Sequence, residues 1–351
     1  MLRTAEAVSI GHPDKIADYI SCYILDRLIE QNPNVHYALE VLVKDNTIVL
    51  AGEISDNVNI DNIDNYVKNA LREIGYDERY NNIWKDYAIN INKIEVIKRI
   101  SVQSSDINQG VEKNGWGDQG VYVGYACVGI NNINHELYLA RKLNKALYER
   151  ALKSDNLGLD IKTQITIDDE SGEIQTAIVA IPMLKAEDLT DFITEVLHQK
   201  PEKLIVNGTG VYQYHSSIAD CGVTGRKLAC DFYSTASPIG GGSPWTKDGT
   251  KADLTLNIYA RYLALTELKD NDECFVYLSS CIGQVGMPSG VIKTIKKGVE
   301  TINHIYFHIK PKSLIEYFKL NTPIYAGLCR NGLQSLQIDE TTPKKYLAWL
   351  D

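Results

Sequence analysis

Paired cysteines are the first thing this chain lacks. Its seven, Cys22, Cys127, Cys221, Cys230, Cys274, Cys281 and Cys329, are odd in number, scattered, and form no C-x-x-C pair. That argues against a disulfide framework or a cysteine-rich zinc site and predicts reduced, buried thiols in a cytoplasmic protein. Positive charge is also in deficit, with 36 Lys and Arg against 45 Asp and Glu, a formal charge of −9. Non-specific nucleic-acid binding is disfavoured, and an anionic substrate would need Lys and Arg clustered locally against the overall field. No apolar run is long enough to span a bilayer and the N-terminus shows no signal-peptide pattern, so no membrane contact is expected. The usual phosphate fingerprints are missing too. No G-x-x-x-x-G-K-[ST] occurs, and Gly222-Val223-Thr224-Gly225-Arg226-Lys227 is too short for one and ends wrongly. Gly115-Trp116-Gly117-Asp118-Gln119-Gly120 fits G-x-G-x-x-G, but it follows a polar loop and opens a strand at 121–128 rather than a helix. A dinucleotide fold is therefore disfavoured, and any phosphate must be held by scattered cations and a metal.

What is present suffices for more than one domain. A chain of 351 residues, 44% hydrophobic and 23% charged, reads as globular with two or three domains. The β-rich runs 37–44 and 47–54 flank Asp45-Asn46, a hairpin signal. An amphipathic helix over 61–75 follows, with Ile63, Tyr66, Val67, Ala70, Leu71 and Ile74 on one face and Gly75 ending it. The alternating stretch 87–100 predicts a strand. The same order recurs as a hairpin of 162–167 and 173–181 followed by a helix over 186–199. A fainter third copy has strands at 274–282 and 290–296 and a helix at 312–319. Three hairpin-then-helix units predict an α+β fold of three similar sandwich-like domains, at 1–100, 120–217 and 218–351. Between the first two, 101–119 is polar, rich in Gly and Asn, and aperiodic, which suits a functional loop.

Chemistry concentrates first in Gly11-His12-Pro13-Asp14-Lys15-Ile16-Ala17-Asp18. Pro13 suits a first helical turn, and Ile16, Ala17, Ile20, Ile24, Leu25, Leu28 and Ile29 continue at helical spacing, so a helix is expected over 13–31. Its mouth carries a proton donor, a hard carboxylate and a cation, a set that suits a polyphosphate and its Mg2+. Asp160, Lys162 and Gln164 share one face of a strand, opposite Ile161, Ile165 and Ile167; alone they read as a solvated sheet face. Arg226 and Lys227 open an amphipathic helix and by themselves read as surface charges. Lys247, Asp248, Lys251 and Asp253 lie between Gly240-Gly241-Gly242 and a helix over 250–268, where flexible backbone and helix N–H groups can approach a ligand.

In order along the chain, the octapeptide, Gln103-Ser104-Ser105-Asp106-Ile107-Asn108-Gln109-Gly110-Val111, Gly117-Asp118-Gln119-Gly120, Asp220-Cys221-Gly222-Val223-Thr224-Gly225-Arg226-Lys227, and Gly240-Gly241-Gly242 with Lys247, Asp248 and Lys251 resemble the motifs of S-adenosylmethionine synthetases. The resemblance reaches to about Tyr325. It implies three similar domains about a pseudo-threefold axis and a mobile gate at 101–119. It also implies a reaction of ATP, L-methionine and water giving S-adenosylmethionine, phosphate and pyrophosphate. Methionine sulfur would displace the whole triphosphate from the ribose 5′ carbon, and the triphosphate would then be hydrolysed. On this pattern His12, Lys162, Arg226, Lys227 and Lys247 surround the triphosphate, and His12 donates toward the leaving oxygen. Asp14 and Asp253 match Mg2+ ligands, two ions per site, and Glu40 the acidic residue of a K+ site. Glu53, Gln103, Asp220, Lys251 and Ile282 match the methionine side. Asp118, Asp160, Val211, Tyr212, Asp220 and Ser243 match the adenosine side. The family's sites lie in the interface of a symmetric dimer, so a homodimer or dimer of dimers is implied.

The chain departs from the pattern in places. Ile10 stands where glutamate is usual, Ser243-Pro244-Trp245-Thr246 replaces a more uniform small-residue stretch, Cys281 replaces alanine, and the ending after Thr322-Pro323-Ile324-Tyr325 differs. Two alternatives stay open at this stage: a catalytically dead regulatory subunit, and an ATP-dependent transferase with another acceptor. The first is opposed by the retention of every charged catalytic position.

Overall fold

The computed structural model describes residues 1–102, 115–306 and 308–332. Most of the loop expected over 101–119, including Gln103, lies outside the described residues. The described chain forms three four-stranded sheets. The first orders β1 (Leu2–Val8), β6 (Lys162–Asp168), β7 (Ile174–Ala180) and β8 (Lys203–Val206). The second orders β5 (Gly120–Cys127), β10 (Glu273–Ser280), β11 (Gly290–Lys296) and β12 (Val299–Ile305). The third orders β9 (Gly222–Val223), β2 (Tyr37–Lys44), β3 (Thr47–Ile54) and β4 (Glu95–Val102).

Each sheet is built on the same plan. A hairpin forms its centre (β6–β7, β10–β11, β2–β3), and one long helix packs on it: His135–Ala151, Ala252–Leu268 and Pro13–Gln31 respectively. The remaining edge strand, antiparallel to the hairpin, comes from elsewhere in the chain. The exchange is cyclic. β1 precedes the first long helix but joins the second hairpin; β5 precedes the second helix but joins the third hairpin; β9 precedes the third helix but joins the first hairpin. Sheet membership therefore crosses the positions 100, 119 and 217. A strand's alternation says which face is buried and nothing about its partner, and β1 pairs with β6 from Leu2 opposite Asp168 to Val8 opposite Lys162.

Local chemistry explains the boundaries. In the first two units a helix, Ile63–Ile74 or Thr190–Leu197, crosses over between hairpin and last strand, so β4 and β8 run parallel to their neighbours. The second of these is shorter than the 186–199 expected, since Asp188 Oδ1 accepts from Thr190 N at 2.9 Å and fixes the start. In the third unit no crossover intervenes: Lys297 and Gly298, both left-handed, turn β11 directly into antiparallel β12. The helix expected over 312–319 is Pro311–Tyr317 and comes only after that strand. The strand expected over 87–100 is confined to Glu95–Val102, because Asn90 accepts from Asn92 N at 3.0 Å and closes a 3-10 turn over Ile91–Lys93. Among the described residues no helix is long and apolar enough to cross a membrane.

Candidate active site

The helix Pro13–Gln31 starts as its sequence prescribes. His12 is the N-cap, its Nδ1 accepting from Asp14 N at 3.1 Å, and Pro13 fills the first helical position. An Nδ1 that accepts carries no hydrogen, so the ring is neutral with Nε2–H as its donor. Burial drives the His12 pKa down to about 3, aided by the charges of Lys227 and Lys162 and opposed by Asp220. His12 thus offers a hydrogen bond from neutral imidazole, not a proton from imidazolium.

Asp14 is fully buried and gathers the next segment around itself. Its Oδ1 accepts from Val223 N at 2.9 Å, its Oδ2 lies 2.6 Å from Lys227 Nζ, and Arg226 Nε approaches Oδ1 at 3.6 Å. The close approach requires glycine at 222, where a Cβ would overlap the Pro13 carbonyl. Arg226 and Lys227 open only a single turn, Leu228–Asp231, rather than the longer amphipathic helix expected. Asp160 completes this group: its Oδ2 accepts from Ser216 N at 3.0 Å, while Oδ1 is buried with no hydrogen-bond partner among the described residues. Burial pushes its pKa up to about 6, against the backbone hydrogen bond and Lys162. Tyr212, whose phenol is pushed up by burial and then by Asp160, stands beside it. His12, Asp14, Asp160, Lys162, Tyr212, Asp220, Arg226 and Lys227 are thereby brought together. Val211 is 47% exposed at the edge of this side.

Lys15 does not join them. Its ammonium turns away into the protein, 2.6 Å from Asp231 and 3.2 Å from Asp18, and 5.2 Å from the centre of the Trp245 ring. The cation expected at the helix mouth is a buried structural ion pair. Trp245 Nε1 donates to Asp231 at 2.8 Å and Gly225 N to Asp18 at 2.8 Å, so the pair ties the octapeptide to the segments that carry Arg226 and Lys247.

A second group forms at the start of the helix Ala252–Leu268, two residues shorter than the 250–268 expected because Lys251 is its N-cap. Asp253 Oδ1 accepts from Gly242 N at 2.8 Å, and its Oδ2 contacts Lys247 Nζ. Behind it, Ser280 Oγ donates to the Asp118 carbonyl at 2.9 Å and lies 3.3 Å from the Tyr122 hydroxyl. Trp116 bridges Ile282, which is 58% exposed. Glu53 faces Ala38 across the hairpin, and Ala38 in turn bridges Lys247. Among the described residues no hydrogen bond or ion pair joins the first group to the second. Two connectors approach both: Ser243, 2.8 Å from where a Cβ on Gly225 would stand, and Glu40, which accepts from Thr224 Oγ1 and, at 3.1 Å, from Thr246 Oγ1. Thr224, Thr246, Ser280 and Tyr122 were not legible as site residues; single hydroxyls carry no pattern until the fold places them.

Both acidic residues suit a hard divalent cation. Each is an oxygen donor now neutralised by a lysine, and no group of three or more His, Cys, Asp or Glu among the described residues makes a closed cage. A cation there must complete its shell with water and ligand oxygens, as a phosphate-bound metal does. Two carboxylate–lysine pairs of this kind have the chemistry of a site for an anionic ligand and its counter-cation.

The comparisons sharpen the class. Residues 1–105 match the profile of the S-adenosylmethionine synthetase N-terminal domain, and residues 215–341 that of its C-terminal domain. The S-adenosylmethionine synthase 2 of Rhodospirillum rubrum is 32% identical over 94% of this chain and 91% of its own length. The S-adenosylmethionine synthase of Paramagnetospirillum magneticum is 32% identical over 94% and 92%. The solved structure of an unusual S-adenosylmethionine synthetase from Campylobacter jejuni superposes with a TM-score of 0.85 at 29% identity, covering 99% of this chain and 97% of that one. The chain belongs to the S-adenosylmethionine synthetase family, enzymes that work with a divalent metal.

Proposed function

We propose that the protein transfers the adenosyl group of ATP to the sulfur of L-methionine and then hydrolyses the triphosphate to pyrophosphate and phosphate. The observation that carries this reading is the neutral His12 between Lys162 and Lys227, beside Asp14, a carboxylate already holding a lysine, with a second carboxylate–lysine pair, Asp253 and Lys247, in the other group. Methionine sulfur needs no activation. The S–C5′ bond forms as the C5′–O bond breaks, and the electron pair leaves with the triphosphate. The task is to stabilise that departing charge with donors already in place. His12 Nε2–H points its hydrogen bond at the leaving oxygen, and Lys162, Arg226, Lys227 and Lys247 take the other oxygens. Mg2+, held by Asp14 and Asp253, would neutralise phosphate charge and release Lys227 and Lys247 to the substrate. The all-oxygen set at Glu40, with Thr224 and Thr246, suits K+. Glu53, Gln103, Asp220, Lys251 and Ile282 take the methionine side. Asp118, Asp160, Val211, Tyr212, Asp220 and Ser243 take the adenosine side.

Each site is assembled from two chains. His12, Asp14, Lys162 and Arg226 of one protomer face Asp118, Lys247 and Lys251 of its partner across a two-fold axis. Support comes from the separation of the charges into two groups within one chain. It also comes from exposed apolar side chains on the second sheet, Val121, Val299 and Ile302. Seven free cysteines suit a cytoplasmic setting. Mass spectrometry of the products from ATP and methionine, with Mg2+ and K+, tests the reaction. S-adenosylmethionine with pyrophosphate and phosphate is expected. ATP turned over without a sulfonium product would assign the triphosphate site to another acceptor.

A further inference from the structure

Asp160 depends on a neighbour in an unusual conformation. Ser216, whose N–H is the donor to Asp160 Oδ2 at 3.0 Å, sits at φ 53°, a left-handed backbone that non-glycine residues seldom adopt. The residue before it, His215, is 1% exposed and lies edge-on to Trp84 with ring centres 4.7 Å apart. Its Nδ1 is 2.7 Å from the Gln213 carbonyl, which only accepts, so Nδ1 carries the hydrogen. Burial lowers its pKa to about 4, so at neutral pH Nε2 holds no proton and accepts from the Tyr80 hydroxyl at 2.5 Å. The Tyr80 oxygen in turn accepts from Leu159 N at 3.2 Å, the residue before Asp160. Both ends of this chain of bonds rest on one support. Gly158 N donates to Pro182 O at 2.8 Å, and Met183 N donates to Tyr212 O at 2.9 Å.

We propose that His215 is a positioning residue for the adenosine side of the site, locking the segment 157–160 to the segment 212–216 through Tyr80 and Gln213. This rests on the adenosyl-transfer reading above. An apolar ring would fill the same space. What the two hydrogen bonds add is a fixed separation between Asp160, with its free Oδ1, and Tyr212. The lock acts first on the nucleoside end of ATP; its link to the His12 side runs through Leu159, whose carbonyl accepts from Ser9 Oγ at 2.5 Å.

The test compares ATP with inorganic tripolyphosphate, which lacks the nucleoside. Binding of each is measured by calorimetry, with KM and kcat, for the wild type, His215→Phe, His215→Gln and Tyr80→Phe. Tyr80→Phe removes one hydroxyl and keeps the packing, so it remains informative if His215→Phe folds poorly. Losing the lock should weaken ATP binding and raise its KM about tenfold, the usual worth of a buried hydrogen bond or two. Tripolyphosphate binding and kcat at saturating ATP should stay within about twofold. His215→Gln, with a donor and an acceptor, should recover part of the loss. Unchanged ATP affinity in Tyr80→Phe, or equal losses for ATP and tripolyphosphate, overturns the proposal. The ligand contrast does not depend on turnover, so a wild type that binds both ligands but makes no S-adenosylmethionine fails the reading of function instead.

Discussion

The three long helices begin alike and end up doing different work. Each puts an acid at its second position: Asp14 in Pro13–Gln31, Glu136 in His135–Ala151, Asp253 in Ala252–Leu268. A helix N-terminus favours a carboxylate in all three. Asp14 and Asp253 each pair one oxygen with a backbone N–H and the other with a lysine. Glu136 accepts from Asn134 Nδ2 at 2.7 Å and, among the described residues, makes no ion pair. Helix start and acid belong to the fold; the added lysine sets apart the two copies to which we assign substrate charge. The next residue divides the copies again. Leu137 and Leu254 are buried as an apolar core requires, while in the first copy the same place holds Lys15.

That odd lysine should give the largest effect. Lys15→Met leaves Asp18 and Asp231 buried without their cation, and should cost about 3–5 kcal/mol in urea unfolding. Adding Asp231→Asn should recover much of it, because an uncharged site needs no partner. A loss below about 1 kcal/mol would mean that the pair could have been a leucine, as in the other two copies.

Next come the acids themselves. Asp14→Asn and Asp253→Asn should each lower turnover on the order of 100-fold or more, whereas Glu136→Gln should stay within about threefold. Comparable losses in all three, with normal melting temperatures, would erase the distinction between substrate-binding and structural copies.

Acid stability sharpens the contrast between the site's two buried histidines and its charged rim. The folded protein keeps His215 neutral down to about 4, whereas an unfolded chain protonates near 6.5. Between those values the unfolded state binds the extra proton, so stability falls as pH falls. His215→Gln should lack that slope, about 1.4 kcal/mol per pH unit, and the gap between the two proteins should close on acidification. Parallel stability curves from pH 6.5 to 4 would show that the ring is not held neutral.

The smallest effect tests whether the first and third copies meet across a dimer. Mixed after subunit exchange, inactive His12→Ala and Lys247→Ala chains should recover about a quarter of wild-type activity, one intact site in each mixed dimer. Exchange verified by tagged pull-down with no recovered activity places both residues in the same chain's site.

Much of this was readable along the chain. The hairpin of β2 and β3, the strand β11 and the helix Pro13–Gln31 fall where their periodicity puts them, since alternation and helical spacing are local signals. His135–Ala151 was not legible, because its buried face includes Glu136, Arg141 and Asn144 and interrupts the apolar pattern. Nor was β12, whose residues are almost all exposed and carry no alternation.

Residue identity by itself determined the family's charged positions, the start of the first helix at Pro13, and the carboxylates that can meet a metal. Tertiary structure decided the rest. It decided that three leading strands are exchanged cyclically among three sheets, that Lys15 turns inward to Asp231 across more than half the chain, and that His215 meets Tyr80. The physical reason is common to all three. A side chain's charge and period are its own, but its partner is fixed only when distant segments are packed together and every buried polar group must find one.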